Sequence, residues 1–166
     1  MKDNMQDDGD ELEWRDTYFI LFPRAHRPTL TQVEAAITES SRRLKLENLE
    51  ADEDGMFESV LVEAPQDNAA LEISYETGDA VVEQSADLAK QLQGELDSKQ
   101  LQKMLKADAR LDVMFFERVH TDDGSGDDDD WESGGLDPSS LLNVVNALAK
   151  LTHGLPIDPA SGAILS

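Results

Sequence analysis

Hydrophobic and polar positions alternate with different periods along the chain, and the periods assign the elements. Thr17–Phe22 is an unbroken apolar run ended by Pro23, which predicts a short strand buried on both faces. Beyond the Arg24-Ala25-His26-Arg27-Pro28 loop, Val33, Ala36, Ile37 and Leu44 recur at helical spacing. Thr31 and Glu34 stand three apart, which makes Thr31 the expected N-cap of a capping box.

Leu44–Leu49 suits a short strand, followed by a tight turn at Asp52-Glu53-Asp54-Gly55. Residues 57–64 are again rich in β-branched and apolar side chains. Leu71, Ile73 and Tyr75 then alternate with Glu72, Ser74 and Glu76, the period of a half-buried strand. The two segments form an expected hairpin. Gly78-Asp79 opens a helix reaching Leu92, with Gly94 as its stop. Asp97 or Ser98 opens another, with Leu101, Met104 and Leu105 inward and Lys99, Lys103 and Lys106 outward. Residues 111–118 form a second strand apolar on both sides.

Asp137-Pro138 is a strong helix start, with Asp as cap and Pro at the first helical position. Leu141, Leu142, Val144, Val145, Leu148 and Leu151 cover so much of that helix that it must pack deeply, and Gly154 and Pro156 end it. The tail reads as two extended pieces around an Asp158-Pro159-Ala160-Ser161-Gly162 turn.

This order resembles a ferredoxin-like fold over residues 16–119. The resemblance implies an α+β class, a β-α-β-β-α-β antiparallel sheet with helices packed on one face, plus an extra C-terminal helix. The chain also resembles small acidic bacterial proteins of unknown function. Both likenesses are at the level of fold and carry no site residues with them.

Charge divides the chain. Its 166 residues hold 36 acids against 14 bases, a formal net charge of −22. Residues 1–14 contribute −5 and residues 121–136 contribute −7, leaving −10 for the rest. The expected organisation is an acidic disordered start over 1–14, an α+β body over 15–120, an acidic flexible loop over 121–136, and a helix and tail over 137–166 packed on the body. Each acidic stretch carries one tryptophan, Trp14 and Trp131, which could dock on the body or on a partner, with docking on the body the favoured expectation.

The same balance sets the partner classes. Phosphate contacts need clustered Lys and Arg, so nucleic acid and anionic membrane are excluded as expected partners, and a basic protein is favoured. The absence of cysteine removes disulfides and thiolate metal sites. With no apolar run of membrane length and no signal peptide, the expectation is a cytoplasmic protein, monomeric or weakly dimeric.

Specific chemistry is sparse. The turn Asp52–Gly55 lacks the bidentate carboxylate of a calcium loop, since Leu61 stands where Glu is required. The run Asp127–Asp130 sits among glycines, which favours a solvated spacer over a selective cation site. No phosphate loop, dinucleotide loop or nucleophile elbow occurs, and no metal or cofactor is expected. Arg24, His26 and Arg27 form the one cation-rich loop, so they are the candidate contacts for an anionic ligand or partner carboxylate. Pairing with the protein's own acids is the competing reading.

Two functions follow. The first is a non-catalytic protein–protein interaction module, adaptor or immunity-like. The second is a small-molecule-binding regulatory domain using the Arg24/His26/Arg27 loop. Catalysis finds support only in that loop.

Overall fold

The fold was analysed in a computed structural model, which describes residues 10–40, 43–65, 68–120 and 138–165. The expected acidic loop and most of the expected acidic start lie outside these residues, as does Trp131. The elements run β1 (Asp10–Phe22), a 3-10 turn (Arg24–His26), α1 (Leu30–Ser40), β2 (Lys45–Ala51), β3 (Phe57–Ala64), β4 (Ala69–Thr77), α2 (Asp79–Gln91), α3 (Ser98–Lys106), β5 (Ala109–His120), α4 (Pro138–Thr152), β6 (Leu155–Asp158) and β7 (Ala163–Ile164). The protein is α+β, with one seven-stranded antiparallel sheet and four helices among the described residues.

The strand order is β2-β3-β4-β5-β1-β6-β7, which corrects the ferredoxin-like expectation. That arrangement would put the 17–22 strand between the 70–76 and 111–118 strands. Instead β5 lies between β4 and β1. The physical reason is the connection before β5. Helices α2 and α3 run out and back, so the chain returns to the end of β4 that it left. Ala109 pairs with Thr77 in register, and the Thr77 hydroxyl donates to the Asp108 carbonyl at 2.7 Å. A strand delivered there adds antiparallel beside β4.

Strand β1 is longer than its apolar run. It begins at Asp10, so Asp10–Trp14 belong to the sheet rather than to a disordered start. Glu13 lies opposite Glu117 in the ladder, a repulsive pairing. Arg15 answers both carboxylates, at 3.2 Å from Glu13 and 2.7 Å from Glu117, at an irregularity between Trp14 and Asp16.

The helices cover both faces of the sheet, a second correction. Ile20 and Phe22 point into a core shared with Val33 and Ile37 of α1 and with Val144, Val145 and Leu148 of α4. Phe19 and Leu21 point the opposite way, into a core with Ala89 of α2, Leu92 at its C-cap and Met104 of α3. A strand apolar on both faces requires cover on both. The final segment adds β6 along the free edge of β1, with Leu21 opposite Leu155 and Phe19 opposite Ile157. Asp158 Oδ1 accepts from the Ala160 amide and Gly162 takes a positive φ of 80°, completing the expected turn into β7.

Candidate functional site

The loop singled out in the sequence follows β1 directly, because Pro23 cannot donate to the ladder and the chain turns there. Its three basic side chains point to three different acceptors. The Arg24 amide donates to Asp108 Oδ1 at 2.7 Å, and its side chain pairs with the same carboxylate at 3.4 Å. His26 donates Nδ1–H to the Thr152 carbonyl at 3.0 Å, which fixes its tautomer because a carbonyl can only accept. Its ring meets His153 edge-on at 5.5 Å.

Arg27 reaches inward. Its Nε and Nη2 donate to the Phe57 carbonyl at 3.2 and 2.9 Å, Nη1 pairs with Asp52 at 3.2 Å, and the guanidinium lies 4.1 Å over the Tyr75 ring. It thereby fastens the β1–α1 loop to β3 and β4. Hydrogen bonds from the Met56 amide, joined by that of Asp54 and the nearby Arg27, hold the Asp52 carboxyl below its usual range. Arg24, His26 and Arg27 therefore do not converge on a common point. Each supports the fold at a different seam.

Another charged cluster lies beneath α2. Arg110 pairs with Asp112 at 2.6 Å, donates to Gln84, and stacks 4.1 Å over Phe19. Both side chains are largely shielded, and the pairing lets the start of β5 carry charge under a helix. Among the described residues, no three potential metal donors gather, and no helix is long and apolar enough to cross a membrane.

Sequence reasoning passed over the other end of the sheet. The ladder register sets Leu12, Trp14, Met114, Phe116, Ala70 and Leu61 on the face that also bears Phe19 and Leu21. Helices α2 and α3 cover the Phe19 and Leu21 end of that face, and among the described residues no helix covers this end. Trp14 is 56% exposed and Leu12 is 41% exposed. The indole N–H donates to the Thr17 hydroxyl at 2.9 Å, so its polar atom is satisfied while its ring stays in water. This overturns the expectation that Trp14 docks on the body.

A groove of about 370 Å³ runs beside it, lined by Leu12, Leu61 and Phe116 and by Glu50 and Glu72. Glu47 shares this face through its pairing with Leu61. The apolar centre is thus bordered by exposed carboxylates, with Lys45 at the edge strand. A strand alternation that continues upstream of Thr17 was the signal that could have found it: Leu12 and Trp14 stand two apart.

Comparison with protein-family models, with curated proteins and with solved structures finds no match for this chain.

Proposed function

We propose that the protein is a non-catalytic interaction module, of the adaptor or immunity kind, whose open sheet face docks a basic amphipathic segment of a partner protein. One observation carries the reading: exposed Trp14 and Leu12 stand beside a groove whose border carries Glu47, Glu50 and Glu72. Burying an aromatic and its apolar neighbours supplies affinity, and Trp is prominent among residues that dominate interfaces. The carboxylates supply orientation and accelerate encounter with a cationic partner.

The same border repels phosphate backbones, and a second copy would bring like charges together, which fits a monomer or weak homodimer. A cysteine-free acidic chain also suits the cytoplasm. The loop at Arg24, His26 and Arg27 lends less to a small-molecule reading, because each side chain already has an internal acceptor.

The test uses a synthetic peptide patterned as an amphipathic helix of leucine and lysine, added to a W131F variant in which Trp14 is the remaining tryptophan. Its emission should shift to shorter wavelength on binding, with affinity falling steeply as salt rises. E50Q/E72Q should weaken binding by about threefold or more. Unchanged Trp14 emission, or equal affinity for a leucine–glutamate peptide, would overturn the reading.

A further inference from the structure

The described surface contains a concavity where the charge of the molecule is inverted. It opens between α3 and the last two turns of α4, over the β6–β7 edge, with a volume of roughly 680 Å³. Lys99 and Lys103 line it from α3, Lys150 from α4, and His153 from just beyond the end of α4. One carboxylate, Asp97, borders it, and that group is occupied as the N-cap of α3, accepting from the Gln100 amide at 2.8 Å. Leu155, Pro156 and Ile164 supply an apolar floor.

Carboxylates outnumber cations 36 to 14 in this chain, so three lysines against one capped carboxylate reverse its general balance. The lysines also differ from the arginines in how they are used. Arg15, Arg24, Arg27 and Arg110 all pair with carboxylates. Among the described residues, the ammonium groups of Lys99, Lys103 and Lys150 make no ion pair or hydrogen bond. Bringing unpaired like charges around one concavity costs repulsion that a bound anion would remove.

We propose that this cleft binds a small organic anion, in which a carboxylate or phosphate group is carried on a short apolar body. The lysines from the two helices would close on the charged group as flexible point charges. The apolar body would lie on Leu155, Pro156 and Ile164. The volume falls within the range of small-ligand pockets, and a few convergent polar groups over an apolar lining is their usual composition. The cleft lies at the β6–β7 end of the sheet and shares no lining residue with the groove bordered by Glu50 and Glu72, so the two proposals stand or fall separately.

The test titrates the full chain with octanoate, and in parallel with inorganic phosphate and with 1-octanol, following backbone amide resonances. Octanoate should give saturable shifts confined to α3, the end of α4 and β6–β7, while phosphate and octanol each bind about tenfold more weakly or worse. K103Q/K150Q should weaken octanoate binding by at least about tenfold. Because both side chains are exposed, that variant should keep the wild-type melting temperature. Absence of saturable shifts, shifts placed on the open sheet face, phosphate binding as tightly as octanoate, or unchanged affinity in K103Q/K150Q would each overturn the proposal.

Discussion

Single side chains in this protein show how a large surplus of acid is made compatible with folding. Arginines sit where carboxylates would otherwise face one another or be left under a helix, as Arg15 does between Glu13 and Glu117 and Arg110 does beside Asp112. Tyr18 shows the opposite case, an acid–phenol pair that no cation joins among the described residues. Its hydroxyl donates to Asp16 at 3.2 Å. Burial, then the charge of Asp16 and the hydrogen bond to it, raise the phenol from 10.0 to about 12. The unfolded chain loses this proton first, so the contribution of Tyr18 to stability is complete below pH 10 and is lost as pH rises towards 12. Denaturant unfolding at points across that interval should show stability falling with pH. Tyr18→Phe should flatten the fall, and a slope unchanged in that variant would remove Tyr18 from the account.

At the scale of elements, the periodic segments appeared where expected, and so did the starts of α2, α3 and α4, whereas the start of α1 did not. The first helix is capped by Thr29, whose hydroxyl accepts from the Gln32 amide at 3.1 Å while the Gln32 side chain accepts from the Thr29 amide at 2.9 Å. Thr29 and Gln32 have the same spacing as Thr31 and Glu34. The choice was made by the loop, since Thr29 also bridges to Met56. In α3 the apolar face is narrower than its sequence suggested: Met104 is buried, whereas Leu105 is 60% exposed.

The end of α4, expected at Gly154 and Pro156, divides its work between His153 and Gly154. The left-handed residue is His153, at φ 57°. The Gly154 amide closes the terminus onto the Ala149 carbonyl at 2.9 Å. Gly154 is needed instead for close approach. A methyl group there would stand 2.8 Å from Ile20 Cγ2 and 2.9 Å from the Leu21 carbonyl oxygen. That contact lets β6 seat against β1. Gly154→Ala should therefore cost about 1–3 kcal/mol, read from denaturant midpoints; a neutral outcome would mean that the α4–β6 seam yields freely.

For the molecule as a whole, the net charge of −22 makes self-repulsion a term that salt screens. The melting temperature should rise with ionic strength, while binding of a basic peptide to the open face should weaken over the same range. Scanning calorimetry at low and high salt checks the first, and a falling melting temperature would show that specific ion pairs outweigh the repulsion. The opposite signs distinguish the charge of the fold from the charge of its proposed interface.

Much of the architecture was legible in one dimension because its causes are local. Alternation at Leu71, Ile73 and Tyr75 marked β4, the all-apolar Phe19–Phe22 marked a strand buried on both faces, and Asp158 to Gly162 marked the last turn. Those features depend on neighbours within a few residues. The sheet order depends on where the α2–α3 pair returns the chain. The cover on both faces depends on which helices find Phe19 and Leu21 on one side and Ile20 and Phe22 on the other. The candidate surfaces are legible least of all. Arg24, His26 and Arg27 are neighbours in sequence but are drawn to Asp108, Thr152 and Phe57. Lys99 and Lys150, 51 positions apart, line one cleft, and Leu12 and Glu72 meet at one groove. Sequence determined which segments could be helix or strand, through periodicity and turn chemistry. Only tertiary structure decided which charges are answered within the fold and which stay facing solvent, because pairing depends on distance in space.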